Sequence, residues 1–231
     1  KASILKKSLI SMIDSKIPVF VWGNPGVGKS SIIKQIANDK NMEFIDLRLS
    51  LLDPTDLRGI PFFDSANKSA IWAKPEFLPN SNSQAFGILF LDEINSAPPT
   101  VQAAAYQLIL DRKIGEYTLP MNYAIVAAGN YESDRGVTYR MPTPLANRFV
   151  HLDFELDFEE WKSWAYESKI DTRIISFLSY KPQNLFTFDA KAKVNFCSNP
   201  TSFIIAKEGL VKSPISCDIS STIASIGDDI V

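Results

Sequence analysis

The sequence is poor in the residues that announce metal, redox or membrane chemistry. Two cysteines, Cys197 and Cys217, and one histidine, His151, occur in 231 residues. Two thiols are too few for a disulfide framework, and neither has the basic neighbours or histidine partner of a nucleophile. They fit free thiols in a reducing compartment, which makes the cytoplasm the expected location. His151 stands between Val150 and Leu152 with no Cys or acidic set at metal spacing, so it reads as a strand-face histidine rather than a zinc ligand. The apolar runs, such as Ile17 to Trp22 and Ile88 to Leu91, fall far short of the roughly 18 residues of a spanning helix, so a soluble protein without a membrane partner is expected. Charge of one sign is also missing: 24 Lys and Arg face 26 Asp and Glu, a net charge of −2 that gives no global field for DNA or an anionic membrane. A local basic groove stays open. The 10 Gly and 14 Pro form no tract, which excludes collagen-like and linker-dominated chains.

What is present is a foldable chain, 45% hydrophobic and long enough for one large domain or a domain with a smaller companion. It starts at Lys1 with no charged-then-apolar leader, and is expected to be a trimmed fragment. Ile4, Leu5, Leu9, Ile10 and Ile13 repeat at helical spacing, and Ile17 to Trp22 reads as a short buried strand. Helices are expected over about 28–38 and 98–110, with strands near 43–47, 86–91, 123–128 and 149–154. Such alternation argues for a parallel sheet covered on both faces. Past Asp157 the pattern becomes helical, with Phe158, Trp161, Trp164 and Ala165 at spacings of three and four and then Ile174, Ile175 and Leu178. Trp161 and Trp164 read as core of that helical part. The division expected is 1–155 for the sheet domain and 156–231 for the helical one. Residues 53–82 are long and poorly periodic, a texture more often functional than idle in a compact domain.

Gly23-Asn24-Pro25-Gly26-Val27-Gly28-Lys29-Ser30 matches the phosphate-loop pattern, after an apolar strand and at the start of a helix, with Ser31 next. Its glycines let the backbone approach phosphate oxygens, and successive N–H groups and the helix N-terminus face the negative charge. Lys29 is expected to reach the β- and γ-phosphates, and the Ser30 hydroxyl to ligate Mg²⁺. Nucleotide binding is the consequence, although the loop says nothing firm about adenine against guanine. Further on, Gly87-Ile-Leu-Phe-Leu-Asp92-Glu93 is an apolar run ending in two acids, at the sheet edge where open α/β sheets bind ligands. Asp92 is expected to orient Mg²⁺, and Glu93 to polarise an attacking water.

Leu91 to Gln102 resembles the Walker B segment and following helix of MoxR-type AAA+ ATPases, in the dynein-related part of that superfamily. Asp56-Leu-Arg-Gly59, Trp72 to Pro79, Ala127-Ala-Gly-Asn130 and Pro144 to Phe149 resemble further segments of the family, in the same order. The resemblance implies a P-loop AAA+ αβα sandwich with a parallel five-stranded sheet, a small helical lid, and a ring, usually a hexamer, with ATP and Mg²⁺ between neighbours. It makes Asn130 the sensor 1 residue, where an amide can hold the attacking water without altering charge. A turn-capping asparagine is the plainer reading of the same residue. It makes Arg148 an arginine finger for the adjacent subunit, against a surface ion pair as the alternative. Arg135 and Arg140 are weaker candidates for inter-subunit or phosphate contacts.

The chain departs from the pattern at Thr201, where relatives often carry the sensor 2 arginine, so that Lys207 substitutes or the lid couples more weakly to nucleotide. Between Asp111 and Asn122, Gly115-Glu116 suits the turn of a hairpin facing the ring pore, and an ordinary helix-to-strand connection suits it equally. The functional expectation is a Mg²⁺-dependent ATPase doing chaperone-like remodelling or assembly work on a protein client, with von Willebrand A domain proteins the partners that the resemblance implies. Two other readings stand beside it: a motor or packaging or restriction subunit coupled to nucleic acid that uses ATP or GTP, and a nucleotide-gated scaffold with little turnover.

Overall fold

The computed structural model describes residues 1–65, 69–131, 139 and 141–185. Arg135, Arg140, Cys197, Thr201, Lys207 and Cys217 lie outside the described residues, as does the expected lid beyond residue 185. The chain separates into two compact units, Lys1–Asp157 and a second that begins at Phe158.

The first unit is built on a five-stranded sheet. Helix α1 (Ala2–Asp14) precedes strand β1 (Val19–Trp22), and the phosphate-loop residues connect β1 to α2 (Lys29–Asp39). Strand β2 (Glu43–Arg48) follows, then a short helix α3 (Pro54–Arg58) and the strands β3 (Ile60–Asp64) and β4 (Ser69–Ala73). After β5 (Gly87–Asp92) come α4 (Pro99–Asp111), the two-residue strands β6 (Lys113–Ile114) and β7 (Tyr117–Thr118), and β8 (Tyr123–Gly129). A single turn of helix, α5 (Thr143–Ala146), leads into β9 (Val150–Asp153).

The sheet order is β2-β5-β8-β1-β9, with every pairing parallel. Parallel neighbours demand crossovers, and alternating side chains must then be buried on both faces. The sequence meets that demand: Val19, Phe20 and Val21 of β1 are all buried, as are Ile88 to Leu91 of β5 and Tyr123 to Ala128 of β8. On one face Phe20, Leu47, Leu89, Leu91, Ile125 and Ala127 pack with Val101, Ala104, Ala105 and Leu108 of α4. Helices α1 and α2 lie against the sheet, burying Leu5, Leu9 and Ile13 of α1 with Ile33, Ile36 and Ala37 of α2. Ile4, expected on the inner face of α1, is exposed.

The poorly periodic stretch contains an antiparallel hairpin, with Ile60 opposite Ala73 and Asp64 opposite Ser69. It carried no alternation signal because Ile60, Phe62 and Phe63 are all exposed, leaving neither face of β3 to be marked by burial. β6 and β7 form the hairpin whose turn is Gly115-Glu116, with Ile114 opposite Tyr117 and Gly115 at a φ of 57°.

The second unit holds α6 (Phe158–Glu167) and α7 (Thr172–Tyr180). Trp161, Ala165, Ile170, Ile175, Leu178 and Leu185 make its core. Trp164, expected in that core, is 44% exposed instead. Among the described residues no helix is long and apolar enough to cross a membrane.

Candidate functional site

Strands β1, β5 and β8 end on the same edge of the sheet, and their last residues lead into the three segments singled out from the sequence. After Trp22 the chain turns through Gly23, Asn24, Pro25, Gly26, Val27 and Gly28. Gly26 and Gly28 have φ of 79° and 95°, the left-handed region where a side chain is strained. At Gly28 a Cβ would meet nothing within 4 Å, so backbone conformation, not space, demands the glycine there. Gly28 caps α2, which begins at Lys29 and carries Ser30 and Ser31 in its first turn, Ser31 being exposed. A phosphate held by this loop would meet the first amides of the helix.

Lys29 is buried, and its Nζ donates to the carbonyls of Gly23 (2.7 Å) and Asn24 (3.0 Å) and to Asn130 Oδ1 (2.9 Å). The ammonium thus joins the phosphate loop to the end of β8, more than 100 residues away. Asn130 is itself fixed through its backbone: Asn95 Nδ2 donates to its carbonyl (2.6 Å) and its N–H donates to Asn95 Oδ1 (3.3 Å). Asn95 is buried, and it fits only because residue 129 is glycine, where a Cβ would stand 2.4 Å from Asn95 Oδ1. Asn95 was missed in the sequence. The available signal was an amide between the apolar Ile94 and Ala97, where a buried polar side chain must find a partner.

Asp92 and Glu93 follow the apolar core of β5, both half-buried. Glu93 has left-handed backbone, φ 56°, and its N–H donates to Asp92 Oδ1 (2.9 Å). Burial pushes the Asp92 carboxyl above the usual range; the Glu93 N–H opposes this, the charges of Glu93 and Asp46 add to it, and the Lys29 charge opposes it. Glu93 Oε2 accepts from Ser50 Oγ, and Glu93 Oε1 lies 3.9 Å from Arg48 Nε. Ser50 and Arg48 follow from the parallel pairing of β2 with β5, which sets Arg48 opposite Asp92, and strand order is not written in local sequence.

Arg148 follows α5 and is exposed; its N–H donates to the Leu145 carbonyl at 2.9 Å. The structure therefore brings Lys29 and Asn130 together and places Asp92 and Glu93 on the adjoining strand end, while Arg148 faces solvent.

The fold and this edge define a P-loop α/β protein of the AAA+ type. The family described as "ATPase family associated with various cellular activities (AAA)" matches residues 18–151, more than half of the chain, and the chain belongs to it. Chaperone MoxR1 of Mycobacterium tuberculosis is 28% identical over 152 residues, covering 64% of this chain and 38% of that protein. This match accords with the MoxR-like character of the motifs. The replication factor C large subunit of Ignicoccus hospitalis is 30% identical over 107 residues, 46% of this chain and 20% of that one. The chain thus spans well under half the length of either relative. The solved structure of the Thermotoga maritima RuvB Holliday junction branch migration motor covers 72% of this chain and 49% of its own, at 20% identity and a TM-score of 0.47.

Proposed function

We propose that the chain hydrolyses ATP with Mg²⁺ at the edge formed by β1, β5 and β8, in a ring of like subunits, and that it uses the energy to remodel or assemble a protein partner. The observation that carries the nucleotide reading is the Lys29 ammonium, held at once by two phosphate-loop carbonyls and by Asn130. In this reading Lys29 and the backbone N–H groups of the loop from Gly23 to Ser31, Pro25 excepted, bind the phosphates. Glu93 takes a proton from water as the water oxygen bonds to the γ-phosphorus and the bond from that phosphorus to the β–γ bridging oxygen breaks. Asn130 orients the water, and Asn95 keeps Asn130 in place. The hydrogen bond from Ser50 occupies Glu93 Oε2, so Glu93 must release Ser50 for that oxygen to face the water.

The donors present suit Mg²⁺. Ser30 and Asp92 offer hard oxygen ligands, and this ion takes one or two protein oxygens beside phosphates and water rather than a full protein cage. The half-buried Asp92 carboxyl is also a group whose charged form a cation favours. Bound there, the ion would neutralise phosphate charge.

The unit Lys1–Asp157 is then the nucleotide-binding domain, and the unit beginning at Phe158 the lid. An exposed Arg148 supports a role toward a neighbouring subunit, where a guanidinium stabilises charge spreading over the γ-phosphate. Chaperone-like work on a protein is supported by the resemblance to MoxR1.

The test is steady-state ATP and GTP hydrolysis across protein concentration, with Glu93→Gln as the blank and light-scattering mass alongside. Turnover per subunit should rise as oligomers appear, and Arg148→Ala mixed with Glu93→Gln should recover part of the lost activity. Tight ATP binding with turnover at the blank level at every concentration identifies a nucleotide-gated scaffold instead. Turnover raised by DNA with a steep salt dependence identifies a nucleic-acid motor.

A further inference from the structure

The histidine that the sequence leaves on a strand face has two partners, one at the end of β1 and one in the α5 turn that precedes β9. Trp22, the residue before Gly23, donates from Nε1 to His151 Nδ1 at 2.8 Å. An indole nitrogen can only donate, so Nδ1 is the accepting nitrogen and the ring proton sits on Nε2. His151 Nε2 therefore donates to the Ala146 carbonyl, 2.8 Å away, at the end of the α5 turn. That carbonyl also accepts from Phe149 N–H at 3.2 Å, so the turn bearing Arg148 is closed on the same oxygen.

The parallel pairing of β1 with β9 makes this geometry available. His151 is in register with Phe20 and Trp22 with Asp153, so the indole and the imidazole are diagonal neighbours on one face of the sheet. The indole stands over Phe20, with ring centroids 4.3 Å apart, and is stacked with Tyr131 at 6.1 Å and 13°. Tyr131 follows Asn130 directly, and its hydroxyl donates to Asp153 Oδ1 at 2.9 Å. Trp22 thus touches the residue after Asn130 and leads covalently into the phosphate loop, and His151 ties it to the turn that carries Arg148.

We propose that His151 is a positioning residue that couples the phosphate loop to Arg148, through Trp22 on one side and the Ala146 carbonyl on the other. This rests on the reading of Arg148 as a group that acts on a neighbouring subunit's nucleotide. A change in the loop at Gly23 moves Trp22, the indole N–H moves His151, and the imidazole N–H moves the α5 turn. Such a link controls where the guanidinium sits, not how tightly the subunit's own loop binds nucleotide.

The test uses the full chain with ATP and Mg²⁺, comparing His151→Phe, which removes both hydrogen bonds, with His151→Gln, whose amide N–H has the reach of Nε2. The expected result is an ATP dissociation constant within about twofold of the parent in both, with kcat about tenfold lower in His151→Phe and within about threefold of the parent in His151→Gln. Arg148→Ala is measured beside them. If Arg148→Ala is inactive while His151→Phe keeps the parental kcat, the coupling is overturned and the reading of Arg148 stands. Parental turnover in Arg148→Ala overturns both. Weaker ATP binding with unchanged kcat in His151→Phe also overturns the coupling, because it shows only local support of the loop. Should circular dichroism show that His151→Phe does not fold, Trp22→Phe, which keeps an aromatic ring and removes the indole N–H, carries the same expectation of lower kcat at parental affinity.

Discussion

The two ends of the central sheet use polar side chains in opposite ways. At the end where β2, β5 and β8 begin, the polar groups are locked into structure. Tyr123 O–H donates to Glu43, Tyr117 O–H to the Pro79 carbonyl (2.9 Å), and Arg112 Nη2 bridges the carbonyls of Pro120 and Tyr123, both at 2.6 Å. Gly87 lies so close beneath the Tyr123 ring that a Cβ would come within 2.2 Å of it. At the end where β1, β5 and β8 finish, the contacts run between segments far apart in sequence and involve the groups that the proposed chemistry uses: Lys29 with Asn130, Ser50 with Glu93, Asn95 with the Asn130 backbone. A buried polar group needs a partner wherever it lies. One end answers with partners fixed in the fold, Arg112 Nε excepted, and at the other the carbonyl partners of Lys29 are ones that a phosphate could replace.

Substitutions that break this contrast should separate affinity from stability. The largest effect is expected for Lys29→Ala, which should weaken ATP binding on the order of a hundredfold or more if this ammonium faces the phosphates as proposed. Titration with a fluorescent ATP analogue checks it, and retained affinity would remove Lys29 from the phosphate site. Gly87→Ala should do the reverse, destabilising by about 3 kcal/mol as the added methyl displaces the buried Tyr123 ring, with nucleotide affinity unchanged. Urea unfolding beside the same titration reads both quantities. Tyr117→Phe should cost about 1–2 kcal/mol by leaving the Pro79 carbonyl without its donor, again with no effect on affinity.

The smallest and most diagnostic effect concerns Asp92. Its folded carboxyl is raised by burial, so its contribution to stability is present below the ordinary carboxylate range and is lost as pH rises through the raised folded value. Asp92→Asn should therefore raise the melting temperature at neutral pH without Mg²⁺ or nucleotide, and flatten the stability profile across that window. The same substitution should weaken Mg²⁺-dependent ATP binding. A lower melting temperature at neutral pH would show that the ionised carboxylate is stabilised by its surroundings.

The local features of this edge were legible in sequence because each is a run with one meaning. The phosphate loop reads as a loop because glycines and Lys29 stand between an apolar strand and a helix, and β5 reads as buried because four apolar residues end in two acids. The sheet itself follows from alternation of strand and helix. What could not be read depends on which strands become neighbours. Ser50 reaches Glu93 only because β2 lies beside β5, and His151 reaches Trp22 only because β9 lies beside β1. Asn95 needs the missing side chain of Gly129, on a strand that starts almost 30 residues later. The β3–β4 hairpin escaped for a different reason, since exposed Phe62 and Phe63 mimic no amphipathic pattern at all.

The position of β1 in the sheet has a consequence for how the protein is made. Its neighbours are β8 and β9, so the strand that bears the phosphate loop has no sheet partner until residues beyond 123 exist. During synthesis the loop leaves the ribosome before β8 and β9, attached to an apolar strand whose sheet partners do not yet exist. It gains its place only when β8 slots in on one side and β9 on the other. Pairings this distant are slow and leave sticky surface exposed while they form. The loop therefore reaches its final setting only after β9 has been made, and a ligand for the loop would report that β8 and β9 have closed on β1.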